Sequence, residues 1–271
     1  MATILGPTAI NERNFTVRST KCKALGLLWD TEAGFVSIPP DKIEKALGRV
    51  SNLINSVSTS KTAILETNGS LRHVASCSTP ARAFLQALQS TASTFPRFRP
   101  QRLSAQALDD FHWFRSVLKY PGYFNQIPVG DLASVAVPTS DVFMDTSGEG
   151  LCVLEPTWKE NIRQRFAELE AVELSINIRE MRSAVLATLH WGPFWAGSSN
   201  TKNRVHVTLH IGNTSAVSWT NCRTSRHPDA QMNNRLLSPA GFQYNTSFSA
   251  THIPGKVMAD AGSRAPRTHN I

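Results

Sequence analysis

Three acidic side chains in the second half of the chain could together hold a divalent cation. Asp145 ends an apolar segment, Glu180 lies at the start of a predicted helix, and Asp260 is the only acid after Asp229. Hard cations such as Mg²⁺ are bound by carboxylate oxygens, and two such ions about 4 Å apart cleave phosphodiester bonds. If the fold brings the three acids together, the sequence predicts a magnesium site that acts on a nucleic acid backbone.

Each of these acids also has a purely structural interpretation. Asp145 precedes Thr-Ser-Gly and could form a turn. Glu180 lies three residues after Asn177, which is the spacing of a helix capping box. Asp260 could cap a helix or pair with Arg264. Spacing alone therefore leaves a structural role and a metal-binding role open for all three.

The histidines and cysteines offer less chemistry. His206 and His210 are four residues apart, but the alternation of apolar and polar residues around them predicts a strand, so we do not expect them to share a metal. The four cysteines form no C-x-x-C pair, which excludes a zinc finger and a dense disulfide framework. Such cysteine usage is typical of a reducing compartment, and we expect an intracellular protein, in the cytoplasm or the nucleus.

The charge of the chain is basic and unevenly distributed. There are 28 Lys and Arg against 20 Asp and Glu, a net charge of +8. Residues 1–135 carry 15 basic and 9 acidic residues, residues 136–181 carry 4 and 9, and residues 182–271 carry 9 and 2. An acidic island between basic flanks indicates a polyanionic partner such as nucleic acid, although simple solubility explains the same charge equally well.

The overall composition is that of a globular protein, with 41% hydrophobic and 18% charged residues. No segment approaches the roughly 18 consecutive apolar residues that a membrane helix needs, and the N-terminus lacks the pattern of a signal peptide. We expect no membrane partner and no small-molecule substrate.

Two structural units are predicted to position these residues, separated by a Pro- and Gly-containing segment at residues 120–140. The first unit begins with a β-hairpin, formed by residues 24–29 and 35–38, and continues as helices. The second unit alternates strands and helices in the order β-β-α-β-α-α-β-α, which predicts a mixed α/β domain. In that domain Asp145 ends a strand and Glu180 lies on the first turn of a helix.

Four blocks of the second unit, taken in order, resemble the ribonuclease H domain of retroelement polyproteins, in particular of retrotransposons that carry a tyrosine recombinase. The blocks are residues 142–147, 176–181, 205–217, and 252–255 with 259–264. This resemblance implies a ribonuclease H-like mixed sheet with flanking helices, in which four acids hold two Mg²⁺ ions that cleave the RNA of an RNA–DNA hybrid. Asp145, Glu180 and Asp260 match the first, second and fourth of those acids, and the resemblance makes them the catalytic and metal-binding residues.

The chain departs from this family at two places. Gly212-Asn213 stands where the family has Asp-Asn at the end of a strand, so the third acid has no counterpart. The spacer between Gly255 and Asp260 is also shorter than in the family, which would shift Asp260. The resemblance therefore implies a ribonuclease H-like domain, a pseudoenzyme whose magnesium site is impaired.

The first unit resembles the end of a reverse transcriptase. Residues 25–30 and 35–43 are similar to the primer-contacting hairpin that leads into the thumb, and the predicted helix at 104–119 is similar to the connection. The polymerase acids would precede this hairpin and have no counterpart here. The pair Asp109 and Asp110 does not match them, because it lies on a predicted amphipathic helix and not in a turn between strands. We predict a reverse transcriptase C-terminal fragment at 1–125, a ribonuclease H-like domain at 136–264 and a disordered tail at 265–271.

The sequence thus predicts a truncated retrotransposon reverse transcriptase and ribonuclease H remnant that binds nucleic acid, such as an RNA–DNA hybrid, without base specificity. One alternative is an active magnesium-dependent ribonuclease H in which a neighbouring acid such as Glu149 replaces the missing ligand. Another is a non-catalytic interaction module reused by the host.

Overall fold

The computed structural model describes residues 19–132, 138–167, 173–198 and 204–254. Within these ranges the chain forms two β-sheets, each associated with its own helices, and the predicted mixed α/β fold class is confirmed. Asp260, the predicted short helix around it and the C-terminal tail lie outside the described residues.

The first unit combines a small antiparallel sheet with a set of helices. The four strands lie in the order β1-β2-β3-β4. Its strands are β1 (Lys21–Ala24), β2 (Leu27–Asp30), β3 (Phe35–Ser37) and β4 (Ile127–Pro128). Its α-helices are α1 (Pro40–Asn55), α2 (Lys61–Cys77), α3 (Arg82–Thr94), α4 (Ala105–Leu118) and the single turn α5 (Val129–Leu132).

Helical periodicity explains how this unit builds its core. Ile43, Ala46, Val50 and Leu53 recur along one face of α1, and all four are buried. At the start of α4 the side chain of Ser104 accepts a hydrogen bond from a backbone N–H of the first turn, which confirms the predicted helix cap.

The predicted hairpin differs from the observed one in its first strand. The sequence predicted one strand over residues 24–29, whereas Leu25 and Gly26 adopt φ angles of 53° and 78° and form a turn between β1 and β2. Positive φ is readily adopted by glycine, so Gly26 is suited to this turn.

Part of the predicted linker is also structured, because β4 pairs with β3 through Ile127 and Val36. The domain boundaries themselves stay a prediction.

The second unit contains a five-stranded mixed sheet with helices against it. Its strands are β5 (Ser140–Thr146), β6 (Gly150–Glu155), β7 (Glu160–Arg165), β8 (Val205–Ile211) and β9 (Thr246–His252). Its helices are α6 (Ile176–Ser198), α7 (Thr214–Cys222) and α8 (Pro228–Gln243). The strand order is β7-β6-β5-β8-β9, with β5, β6 and β7 antiparallel and β5, β8 and β9 parallel, an arrangement compatible with a ribonuclease H-like fold.

Strand β7 was not predicted from the sequence. Its residues are exposed or half-buried, because β7 lies at the edge of the sheet, and it has no apolar run. The core of this unit lies between the sheet and α6, where Trp191 and Trp195 are almost completely buried. Glu160 of β7 accepts a hydrogen bond from the indole N–H of Trp191 at 2.8 Å, which ties the edge strand to α6.

Helix α8 connects the two units. Gln231 donates a hydrogen bond to the carbonyl oxygen of Ala83 at 2.5 Å, and Arg235 forms an ion pair with Asp110 of α4.

In the part of the chain that the structure describes, none of the helices has both the length and the apolar character that a bilayer-crossing segment needs.

Candidate functional site

Two of the predicted metal ligands meet at one end of the mixed sheet. Asp145 lies on the central strand β5, and Glu180 lies one turn into α6, which packs against β5. Gly212 follows the last residue of β8, the parallel neighbour of β5. A Cβ atom built on Gly212 would lie 3.3 Å from Asp145 Oδ1 and 3.3 Å from Glu180 Oε1. The three positions that the family resemblance aligns with metal ligands therefore converge.

The Glu180 carboxylate is buried and incompletely hydrogen-bonded. Its side chain is 2% exposed, and Oε1 accepts a hydrogen bond from the backbone N–H of Thr146 at 3.2 Å. Oε2 is also buried and has no hydrogen-bond partner among the described residues. A buried acceptor without a donor is costly, so this oxygen is suited to a ligand that supplies positive charge.

The electrostatics of the site oppose two ionised carboxylates. Burial, and secondarily the neighbouring Asp145, raises the pKa of Glu180 to about 7, and hydrogen bonds from Thr146 and Gly212 oppose the rise. Both raising effects act by disfavouring the charged form of the group. A bound cation would reverse this balance, because it favours the ionised form of both acids.

The capping-box interpretation of Glu180 is wrong. Helix α6 begins at Ile176, so Asn177 is already within the helix, and its side chain accepts a hydrogen bond from Asn213 at 2.9 Å. Asn213 in turn caps α7 by accepting from the backbone N–H of Ala216 at 3.1 Å. The Gly212-Asn213 segment is therefore held in place by Asn213, while Gly212 contributes no side chain to the site.

The described residues fit a hard cation only in part. Two carboxylates face the same point and one buried oxygen lacks a donor, which suits Mg²⁺. However, within residues 19–132, 138–167, 173–198 and 204–254, no cluster of three or more His, Cys, Asp or Glu could hold a metal ion. Glu149 is exposed in the turn before β6, and Asp260 lies outside the described residues. The metal-binding and catalytic roles of Asp145, Glu180 and Asp260 stay predictions.

A basic residue that was not predicted from the sequence, Arg163, lies two strands from Asp145 on the same face of the sheet. Asp145 on β5 pairs with Cys152 on β6, and Cys152 pairs with Arg163 on β7, so these three residues form a row across one face of the sheet. Burial raises the pKa of the Cys152 thiol, and Arg163 opposes that rise. Arg163 is exposed, about 10 Å from Asp145 at two strand spacings. Strand β7 has no apolar pattern that would predict it, so the sequence did not indicate that Arg163 lies on the same sheet as Asp145.

The two histidines of β8 bind different partners. His210 Nε2 lies 2.8 Å from Asp141 Oδ1, and the ring of His206 contacts Ser247 and Ser249. Both residues lie on the predicted strand, and the absence of a shared metal stays a prediction.

Comparison with known proteins gives structural neighbours but no family. No protein-family model matches the chain, and no curated protein matches it. A foamy viral protease-reverse transcriptase in complex with an RNA/DNA hybrid is 10% identical over 94% of this chain and 32% of its own, with a TM-score of 0.36. The foamy viral protease-reverse transcriptase in complex with double-stranded DNA is 11% identical over 87% of this chain and 46% of its own, with a TM-score of 0.31. The chain thus spans between about a third and about half the length of these structures.

Proposed function

We propose that this chain is a reverse transcriptase- and ribonuclease H-like protein that binds the backbone of nucleic acid, such as an RNA–DNA hybrid, and has lost nuclease activity. The observation that carries the proposal is the position of Gly212. A side chain at this position would contact both Asp145 and Glu180, but glycine has none. The order of the four sequence blocks supports an origin in a retrotransposon that carries a tyrosine recombinase.

The chemistry of the proposed site would depend on Mg²⁺ held by Asp145 and Glu180. The ion would supply an activated water and stabilise the leaving oxygen of a phosphodiester. Gly212 removes one carboxylate from the ligand set, which weakens the site that must hold a second ion. We expect the loss of this ligand to slow cleavage by roughly 1000-fold, which is about 4 kcal/mol of barrier.

Cleavage of the RNA strand of a labelled hybrid in Mg²⁺ tests the loss of activity. We expect the natural chain to cut no faster than Asp145→Asn, and Gly212→Asp to cut at least tenfold faster, which is about 1.4 kcal/mol of barrier. Gly212→Asn is the matched control, because it has the shape of Asp without the charge. Robust cutting by the natural chain would overturn the claim of inactivity and favour an active ribonuclease H.

The outcome for Gly212→Asp locates the defect. If it restores no cleavage while the natural chain is also inactive, the missing ligand is not the only fault, and the short spacer before Asp260 becomes the second one.

Nucleic acid binding is tested separately through Arg163. Lys and Arg residues that contact phosphates release counterions, and each contact contributes a slope of roughly −0.9 to the dependence of log K on log salt for a duplex. We expect Arg163→Gln to weaken hybrid binding and to reduce that slope by about one. Arg226→Gln removes the same charge from an exposed position in the α7–α8 loop and serves as the control. No affinity of the natural chain for hybrid would overturn the binding proposal and favour a protein-interaction module.

A further inference from the structure

A polar cavity lies at the opposite end of the mixed sheet from Asp145 and Glu180. Its volume is about 200 Å³, and its polar lining includes Arg204, His206, Thr208, Arg223, Ser247 and Ser249. Thr79 and Pro80 of the first unit also line the cavity, which therefore lies where the two units meet.

The lining of this cavity is positively charged. Two arginines and a histidine line it, and no Asp or Glu is among the described residues that do. The pKa of Arg223 is lowered to about 10, first by burial and then by two further arginines, Arg204 and Arg82. Among the described residues that line the cavity, no carboxylate therefore faces the buried Arg223.

Arg223 is the central feature of the cavity. It is 3% exposed, and within the described part of the chain its Nη1 atom is buried without a hydrogen-bond partner. Its guanidinium lies 5.7 Å from the centre of the Phe248 ring, a contact that leaves its donors unused. Arg223 also ends α7, but a helix C-terminus contributes only about half a negative charge. A buried guanidinium whose Nη1 atom lacks an acceptor favours an anion, which would supply both the acceptor and the opposite charge.

The other lining groups suit an anion with several acceptor oxygens. His206 on β8 has its Nδ1 atom 2.8 Å from Ser247 Oγ and its Nε2 atom 2.9 Å from Ser249 Oγ. These two hydroxyls therefore stand side by side on β9 and add polar atoms to the lining beside the arginines. Charge-assisted hydrogen bonds from arginine to phosphate are among the stronger polar contacts in proteins.

The size of the cavity selects a small ligand. Ligand pockets for drug-sized molecules begin at about 300 Å³, and a water molecule occupies about 30 Å³. A volume near 200 Å³ therefore suits one phosphate group with a few waters better than a whole nucleotide. We propose that this cavity binds a phosphate group, supplied either as inorganic phosphate or as the terminal phosphate of an oligonucleotide.

This proposal does not depend on the proposed function. His206 and Gly212 are separated by the length of β8, which is about 20 Å for a strand of this length. Binding at the cavity can therefore be measured whether or not Asp145 and Glu180 hold a metal.

The experiment measures phosphate binding to the whole chain by calorimetry and by thermal unfolding, with chloride added to keep ionic strength constant. We expect the natural chain to bind inorganic phosphate and to be stabilised by it, and Arg223→Gln to weaken binding by at least about tenfold. Arg226→Gln, with the same loss of charge at an exposed position three residues away, should bind like the natural chain. Equal phosphate binding by Arg223→Gln and the natural chain, or none by the natural chain, overturns the proposal.

Two further arms make the test complete. Arg204→Gln changes a half-buried arginine of the same lining and should also weaken phosphate binding. This variant provides the test if Arg223→Gln fails to fold. A short DNA oligonucleotide with a 5′-phosphate is compared with the same oligonucleotide ending in a hydroxyl. Displacement of inorganic phosphate by only the phosphorylated form identifies a terminal phosphate as a ligand, whereas no displacement by either form identifies free phosphate.

Discussion

The carboxyl group of Glu180 is almost completely buried, and its Oε2 atom forms no hydrogen bond among the described residues. Asp145 lies close by and adds a second negative charge. These features destabilise the fold in the absence of a cation, and groups that destabilise a fold in this way are frequently found at functional sites.

Removing the charge of Glu180 should therefore stabilise the metal-free protein. At about pH 8 and with a chelator present, we expect Glu180→Gln to raise the free energy of unfolding by about 1 kcal/mol, or about 2–4 °C in Tm for a chain of this size. The matched control is Glu149→Gln, whose exposed side chain should give no change. A lower Tm for Glu180→Gln would show that the carboxylate is stabilising without a metal.

The residue type at position 212 is known from the sequence, but its effect on the site depends on the fold. The absence of an acid at this position is visible in the sequence once the blocks are aligned with the family. Its consequence depends on geometry, since only the fold shows that a side chain there would contact both remaining acids at 3.3 Å.

At the scale of elements, the β5–β6 hairpin determines where Asp145 lies. Strand β6 begins at Gly150, and a Cβ atom there would lie 2.5 Å from the backbone oxygen of Gln164 on β7. The close approach of β6 to β7 at this point therefore requires glycine.

We expect Gly150→Ala to destabilise the protein by about 1–3 kcal/mol, because a backbone atom must move to admit the methyl group. Chemical denaturation measures this loss. Gly148→Ala is the matched control in the same turn, since no atom of the described residues lies within 4 Å of its Cβ position. Equal stability of the two variants would contradict the close packing of β6 against β7.

The accuracy of the predicted elements follows from the kind of signal each one carries. Helices α1 and α4 have regular apolar faces, and they were predicted because burial follows helical periodicity. Strand β7 has no such pattern, because an edge strand buries few side chains and its hydrogen bonds to β6 come from the backbone.

At the scale of the whole molecule, a buried ion pair joins the two units. Asp110 of α4 is fully buried, and its Oδ1 atom lies 2.5 Å from Nη2 of Arg235 on α8. Burial raises the pKa of Asp110 from an ordinary 3.8 to about 7, although Arg235 opposes this rise. The charged form of Asp110 is therefore disfavoured by the fold.

The pH dependence of stability should report this group. A folded-state pKa above the unfolded one means that the contribution of Asp110 is complete below about pH 4 and is lost as the pH rises to about 7. We expect the stability of the natural chain to fall relative to Asp110→Asn over this window, by a few kcal/mol at most.

Urea unfolding at several pH values measures this difference, and Asp109→Asn on the exposed face of α4 is the control. Parallel pH profiles for the natural chain and Asp110→Asn would show that Asp110 has the same pKa in the folded and unfolded states.

The sequence by itself determined the classes of residue and element in this protein. Asp145 and Glu180 were predicted because carboxylates bind hard cations and because the surrounding blocks resemble a family. The mixed α/β class followed from the order of apolar strands and amphipathic helices. Such signals are local, because the spacing of apolar residues and the type of each side chain can be recognised within a short segment of the chain.

Only the tertiary structure decided which distant residues meet. It placed Gly212 against Asp145 and Glu180, Arg235 beside Asp110, and Arg223 in a cavity shared by the two units. These partners lie between 32 and more than 100 positions apart in the chain. Their proximity arises from the pairing of parallel strands and the packing of helices, and no local pattern in the sequence encodes the distance between two side chains that meet in this way.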